Sequence, residues 1–128
     1  MRHALSLLAF AFLVFTAQSG EAVEVLHTYD SMKDDTQELA SQYPDIAIYS
    51  EQGMSTGLDL EIFSVDVALN ITELTDEELN ALPTMYVDGT HHGNEGMSAE
   101  ASFLFLQDVL ERSAADPSYL EGKRLVVT

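Results

Sequence analysis

The chain of 128 residues contains no cysteine, no tryptophan and only five lysine or arginine residues. Without cysteine it forms no disulfide, thiolate metal site, iron–sulfur cluster or cysteine nucleophile, so histidine, carboxylate or backbone oxygen must hold any metal. A phosphate-binding surface needs clustered lysine and arginine, which this composition does not supply. The composition therefore predicts no nucleic-acid partner.

Acidic residues are abundant instead. The sequence has 22 aspartate and glutamate residues, a net charge of −17 and a hydrophobic share of 46%. That share is ordinary for a packed domain, so the acidity belongs to a foldable sequence of at most one domain and not to a disordered tail. So much negative charge destabilises the folded chain by self-repulsion unless salt screens it. A saline habitat and an acidic surface that maintains solubility are equally good explanations.

The first 22 residues have the pattern of a secretory signal peptide. Met1 to His3 form a short basic start, and residues 4–17 form an uncharged apolar run that ends in small residues. The run is shorter than the ~20 residues that usually span a bilayer, so a stable membrane anchor is the less favoured interpretation. We expect residues 1–22 to be removed and residues 23–128 to be secreted, or held at the cell surface or in the periplasm.

Hydrophobic periodicity predicts alternating helices and strands after the signal. A first helix is expected to begin at Thr28 or Asp30 and to end at the Tyr43-Pro44 pair, and a long one to close at the Asp116-Pro117 pair. A short third helix is predicted from Thr75 and Glu78, which match a capping box. The predicted strands are residues 46–49, 60–69, 84–87 and 124–128, with a turn-rich stretch at 51–57.

This order of elements predicts an α/β fold, with a mixed sheet and helices on its faces. The last predicted strand, residues 124–128, is strongly hydrophobic and reaches the final residue. We therefore expect residues 23–128 to be the N-terminal part of a larger catalytic domain, with an incomplete fold.

The polar loop of residues 88–96, between the third strand and the long helix, contains the residues most suited to chemistry. In open α/β sheets, ligands bind outside the carboxyl ends of the strands. His92 and Glu95 are three positions apart, so a tight turn between them could aim an imidazole and a carboxylate at one metal ion. The same spacing also arises by chance, in which case His91 and His92 are surface residues and Glu95 only favours a helix N-terminus.

The run from Tyr86 to Glu95, followed by an apolar helix, resembles the zinc-binding segment of the zinc carboxypeptidases, the carboxypeptidase A superfamily. The family pattern is a strand, Gly-x-His-Gly-x-Glu and a helix. Residues 29–44 resemble the family's opening helix and residues 53–55 its Gly-x-Ser turn, so the likeness covers about residues 27–128. Residues 58–59 depart from the family, which commonly has glycine and a basic residue there.

The resemblance implies a mixed eight-stranded α/β/α fold, secreted peptidase activity and one catalytic zinc. His92 and Glu95 match the family's first two zinc ligands. The family's third ligand, a histidine, lies far downstream, as do the arginine that binds the substrate carboxylate and the catalytic glutamate, so no residue here is assigned to those roles. The implied partner is a peptide or protein substrate. With two ligands the chain alone is expected to be inactive, and its full-length parent to cleave peptides from the carboxyl terminus.

Two other functions stay open at this stage. One is an amidohydrolase or deacylase on the same scaffold, and the other is a non-catalytic secreted binding module with an incomplete site. The remaining polar residues are interpreted more simply. His91 is predicted to be an exposed loop residue in preference to a partner that orients His92 or Glu95. His27 is predicted to be a lone surface or packing histidine, and the acidic residues 73–78 a solvated helix start.

Overall fold

A computed structural model describes residues 26–92 and 95–128. The predicted signal peptide, residues 1–22, lies outside these residues. In chain order the elements are α1 (Tyr29–Ser41), β1 (Ala47–Met54), β2 (Glu61–Ala68), α2 (Asp76–Ala81), β3 (Thr84–Val87), α3 (Gly96–Ala115) and β4 (Arg124–Val127), with 3₁₀ turns at Ile71–Glu73 and Pro117–Leu120. The predicted α/β class and the predicted order of helices and strands are confirmed.

Two helices begin where their capping residues predict. The Thr28 hydroxyl accepts a hydrogen bond from the backbone N–H of Ser31, and the Ser31 side chain in turn accepts one from the Thr28 backbone. Thr28 and not Asp30 is therefore the N-cap of α1. Thr75 and Glu78 make the same reciprocal pair at α2. The hydrogen bond from the Thr75 backbone holds the pKa of Glu78 below its ordinary value. Each capping box pairs backbone donors that the first helical turn leaves free.

The four strands form one mixed sheet in the order β1-β2-β4-β3. β2 is antiparallel to both β1 and β4, whereas β3 and β4 are parallel. The carboxyl ends of β3 and β4 therefore meet at one edge of the sheet. The turn between β1 and β2 lies at that same edge.

One face of the sheet carries the hydrophobic core. Val65 and Val67 of β2 lie opposite Val127 and Leu125 of β4, and all four side chains are buried. Helices α1 and α3 contribute further buried side chains to this cluster, namely Leu39, Ala40, Leu106, Val109 and Leu110. Burial of an aliphatic side chain of this size contributes about 1.5–3 kcal/mol, so this face holds the helices on the sheet.

The long helix α3 has 20 residues and ends before the Asp116-Pro117 pair, as predicted. Leu106 and Leu110 are almost completely buried, whereas Leu104, two residues before Leu106, is 59% exposed. The helix is therefore amphipathic and lies on the sheet. None of the helices in the described part of the chain is both long and apolar enough to cross a membrane.

The structure corrects the boundary of β1. The predicted strand at residues 46–49 continues through part of the predicted turn and ends at Met54, because β2 pairs with it as far as Glu61. A bulge between Glu51 and Gly53 accommodates one extra residue. Gly53 has a φ of +149°, which a residue with a Cβ rarely adopts. The polar composition of residues 51–54 did not predict a strand, because pairing with β2 stabilises this part of β1.

An ion pair joins the strands on the other face of the sheet. The Arg124 guanidinium donates to Asp66 Oδ1 from Nε at 2.6 Å, and its Nη1 donates to the side-chain oxygen of Asn80 at 2.9 Å. Asp66 and Arg124 are diagonal neighbours on the antiparallel strands β2 and β4. Because both side chains are largely shielded from solvent, this pair links β4 to β2 and to the end of α2.

Basic side chains neutralise few of the acidic ones. Within residues 26–92 and 95–128, lysine and arginine form three ion pairs, which are Lys33–Glu61, Arg112–Asp108 and Arg124–Asp66. The acidic residues at the start of α2 are exposed, as predicted. Most of the negative charge is therefore countered only by ions from the solvent.

We predict that salt stabilises the 128-residue chain. Raising NaCl from about 0.1 M to about 1 M shortens the Debye length from about 10 Å to about 3 Å and weakens the repulsion between exposed carboxylates. The expected rise in the thermal unfolding midpoint is on the order of 4–8 °C, the shift that about 1 kcal/mol produces in a small domain. The variant Glu73→Gln/Glu77→Gln should show a smaller rise, and a midpoint that falls with salt would contradict this account.

Candidate metal site and its cleft

A cleft of about 850 Å³ opens at the edge of the sheet where β3 and β4 end. The first turns of α1 and α3 and the turn between β1 and β2 form its walls. Its apolar lining includes Phe63, Phe103, Leu106 and Val127, and its ionisable lining includes His27, Glu61, Asp88, His91, His92 and Glu100. Ligand sites of α/β proteins occur at such edges, and they combine an apolar lining with a few polar groups.

The loop that follows β3 is held between β4 and α3. The Gly89 backbone N–H donates to the carbonyl of Thr128 at 2.8 Å, and the Thr128 N–H donates to the carbonyl of Val87 at 2.9 Å. A Cβ at position 89 would lie only 2.9 Å from Ser102 Oγ and 3.2 Å from the Thr128 carbonyl oxygen. Only glycine allows the loop backbone to approach α3 so closely.

His92 and Glu95 face each other across this loop. The distance from His92 Nδ1 to Glu95 Oε1 is 3.0 Å. The His92 side chain is 70% exposed, and that of Glu95 is 38% exposed. Residues 93–94 between them lie outside the described residues. The two proposed zinc ligands are therefore close together, and His92 lines the cleft. Their binding of zinc stays a prediction.

The geometry of this pair fits a zinc ion. Two tetrahedral ligands at ~2.0–2.2 Å from zinc have donor atoms about 3.4 Å apart. The 3.0 Å hydrogen bond between His92 and Glu95 is a few tenths of an ångström shorter, so a small rotation of either exposed side chain suffices. No group of three or more potential metal-binding side chains occurs within residues 26–92 and 95–128. Catalytic zinc usually has three protein ligands, so His92 and Glu95 alone would not complete such a site.

His91 lies on the surface of the loop, as predicted. Its side chain is 74% exposed, and its Nδ1 contacts Asp88 Oδ2 at 3.0 Å instead of His92 or Glu95. Its ring stands edge-on to the His92 ring, with 4.7 Å between the ring centres. Asp88 also accepts a hydrogen bond from the Thr90 backbone, so its carboxylate shapes the loop. This role of Asp88 was not predicted from the sequence, although Asp-Gly-Thr is typical of such an Asx turn.

The structure overturns the prediction that His27 is a lone surface or packing histidine. Its Nδ1 lies 2.8 Å from Glu100 Oε2, and its Nε2 lies 3.0 Å from Asp35 Oδ2. The hydrogen bond with Glu100 raises the pKa of His27 above its ordinary 6.5, and partial burial opposes that rise. Glu100 is 73 residues away in sequence, so no local spacing indicated the contact.

The wall formed by α1 and β2 contains a second cluster of polar contacts. Lys33 forms an ion pair with Glu61, and the Tyr29 hydroxyl donates to the Glu61 carbonyl at 2.9 Å. The rings of Tyr29 and Tyr49 pack against Phe63, with centres 6.3 and 5.6 Å away. Burial raises the pKa of both tyrosines, so both are neutral near neutral pH. Unlike the Tyr29 hydroxyl, the buried Tyr49 hydroxyl has no hydrogen-bond partner among the described residues.

No protein-family model and no curated protein sequence matches this chain. Solved structures do match it. The carboxypeptidase A from Helicoverpa armigera superposes with a TM-score of 0.62 at 19% identity, over 80% of this chain and 23% of that one. Thrombin-activatable fibrinolysis inhibitor (TAFI) gives 0.64 at 16% identity, over 80% and 24%. Bovine TAFI in complex with tick carboxypeptidase inhibitor gives 0.60 at 14%, over 80% and 30%.

This chain has a carboxypeptidase-like fold. At 14–19% identity the similarity concerns the fold alone. The chain spans between about a quarter and a third of the length of the carboxypeptidase-like structures it matches. The likeness stated from residues 27–128 is thus confirmed at the level of the fold.

We predict that Gly89→Ala destabilises the chain. The added Cβ would overlap Ser102 and the Thr128 carbonyl, and overpacking of this kind costs about 1–3 kcal/mol. Urea unfolding measures the loss. Gly96→Ala is the matched control, because a Cβ there meets nothing within 4 Å, so its stability should be unchanged or slightly higher.

The double variant Gly89→Ala/Ser102→Ala tests the contact directly. It removes the Ser102 hydroxyl, which would be the nearest atom to the new Cβ, so it should recover part of the lost stability. Equal stability of Gly89→Ala and the unmodified chain would show that the loop is not held against α3 in this way.

Proposed function

We propose that the full-length protein is an exported, zinc-dependent metallocarboxypeptidase that removes C-terminal residues from peptides or proteins. The single observation that carries this proposal is the position of the His92–Glu95 pair. Their donor atoms are 3.0 Å apart between β3 and α3 of a carboxypeptidase-like fold, and His92 lines the cleft. Residues 1–22 serve as the export signal in this proposal.

The residues of this chain would contribute two zinc ligands, the His92 imidazole and the Glu95 carboxylate. The third ligand and the catalytic glutamate would come from residues beyond position 128 in the full-length protein. A zinc ion held by these residues would supply Lewis-acid chemistry and would favour ionisation of water near neutral pH.

The size and the lining of the cleft support our proposal of a peptide substrate. Its volume of about 850 Å³ lies in the usual range of ~300–1,000 Å³ for small-molecule sites, and its apolar lining includes Phe63 and Phe103. The carboxylates of Glu61 and Glu100 line the same space. The basic side chains here are already paired, because Lys33 contacts Glu61 and His27 contacts Glu100. In our proposal an arginine from another part of the protein therefore binds the substrate carboxylate.

We predict that the full-length protein binds one zinc ion and that His92→Ala and Glu95→Gln each reduce this binding. Loss of a direct ligand should weaken zinc affinity by more than the about 10–100-fold typical for loss of a hydrogen-bond partner of a ligand. Zinc content after dialysis and competition with a chromophoric chelator measure the effect.

His91→Ala is the matched control for zinc binding. It removes an adjacent exposed histidine whose Nδ1 contacts Asp88, so zinc content should stay close to that of the unmodified protein. Circular dichroism establishes that each variant is folded. A full-length protein without stoichiometric zinc would refute the proposal, as would a folded His92→Ala variant with undiminished affinity.

We also predict that the full-length protein releases single residues from the carboxyl end of peptides and stops when zinc is chelated. Readdition of zinc should restore the activity. A peptide with an amidated C-terminus should be a poor substrate, because it lacks the carboxylate that a carboxypeptidase recognises. A parallel panel of N-acyl amino acids separates the alternatives, since turnover of these compounds without turnover of peptides would indicate a deacylase.

A further inference from the structure

His27 connects the N-terminal parts of two helices that line the cleft. It lies immediately before Thr28, the N-cap of α1, and its ring reaches Glu100 in the second turn of α3. The His27 backbone N–H also donates to Glu100 Oε1 at 2.6 Å. The ring packs against Phe103 of α3, with 5.2 Å between the ring centres. One residue thus contacts α3 through its backbone, a ring nitrogen and its ring face.

The two ring nitrogens of His27 face two different carboxylates. Nδ1 lies 2.9 and 2.8 Å from the two oxygens of Glu100, and Nε2 lies 3.0 Å from Asp35 of α1. A neutral imidazole has a single N–H, so it donates to only one of these carboxylates and presents a lone pair to the other. The protonated ring donates to both. The arrangement is therefore complementary to the imidazolium form of His27.

No other cation competes for these carboxylates in the part of the chain that the structure describes. Within these described residues, Glu100 and Asp35 form their side-chain hydrogen bonds and ion pairs with His27. Glu61 of β2, which also lines the cleft, is paired with Lys33. Loss of the proton from His27 therefore leaves Glu100 and Asp35 without a positive partner.

The contact matters because the first turn of α3 has no side-chain cap among the described residues. Glu95 at its N-cap makes no side-chain capping bond, and the first turn contains no acidic residue. Glu100 is 17% exposed and His27 is 23% exposed, so water screens their interaction only in part. The bridge from His27 to Glu100 therefore ties the start of α3 to the start of α1.

We propose that His27 is a proton-dependent clamp, which holds α1 and α3 tightly together at the rim of the cleft while its ring is protonated and loosens this contact when the proton is lost. The clamp does not depend on zinc or on the proposed peptidase activity. Its action would let acidity control the opening of the cleft.

The direction of the pH effect follows from the charges. Glu100 and Asp35 raise the pKa of His27 in the folded chain, and the hydrogen bonds from His27 lower the pKa of Glu100. The stabilisation from a raised histidine pKa is fully present below the unfolded value of about 6.5, and it is lost as the pH rises through the folded value. Between about pH 5 and pH 6.5, where Glu100 is ionised, the clamp should be closed.

The first test compares thermal unfolding of the 128-residue chain and its His27→Gln variant at about pH 6 and about pH 9. At pH 6 the variant should unfold about 4–8 °C lower, the shift of a modest stability loss in a small domain. At pH 9 the difference should shrink to less than half. His91→Gln is the matched control, because its ring lies on an exposed loop and joins no two helices, so its difference should be small at both values.

The second test measures the separation of the helices directly. The chain contains no cysteine, so Gln37→Cys on α1 and Ala101→Cys on α3 place two unambiguous spin labels on exposed positions. The distance distribution should be narrow at pH 6 and broader at pH 9. Adding His27→Gln should make it broad at both values, even if that variant loses stability for other reasons.

A double-mutant cycle completes the test. Glu100→Gln should lower the unfolding midpoint at pH 6, and combining it with His27→Gln should add little further loss, because both changes break the same bridge. An equal effect of His27→Gln at pH 6 and pH 9, or a distance distribution that does not change with pH, would overturn the proposal and leave His27 as a packing residue.

Discussion

The pairing of β4 with two neighbours is the constraint on which the rest of this structure depends. β4 is antiparallel to β2 on one side and parallel to β3 on the other, so residues 124–127 join the β1–β2 hairpin to β3. The Arg124–Asp66 ion pair reinforces one side of this strand. Because the carboxyl ends of β3 and β4 then coincide, the loop after β3 meets the start of α3 beside a cleft, and the proposed zinc ligands are placed there.

The two histidines His27 and His92 of the cleft have different surroundings. His27 is surrounded by carboxylates and its pKa is raised, whereas His92 extends from an exposed loop toward a single carboxylate. The first arrangement retains a proton, while a metal ligand must present a lone pair. Two histidines that line one cavity thus suit different roles, one as a link between helices and the other as a candidate metal ligand.

Much of the fold was predictable because its signals are local. The capping box at Thr75 and the Asp116-Pro117 stop use atoms within a few positions of each other, and both were confirmed. The His92–Glu95 pair was found for the same reason, since the two residues are three positions apart. The extension of β1 to Met54 was missed because a polar strand is stabilised by its partner strand and not by its own composition.

The sequence by itself determined the α/β class, the positions of most helices and strands, and the short-range pairing of candidate zinc ligands, because periodicity, capping and turn chemistry act over a few residues. Tertiary structure alone decided which strands are neighbours, why Gly89 must lack a side chain and which carboxylates surround His27. The His27–Glu100 contact joins residues 73 positions apart. Such a contact exists only after the sheet has brought α1 and α3 together, so no local pattern encodes it.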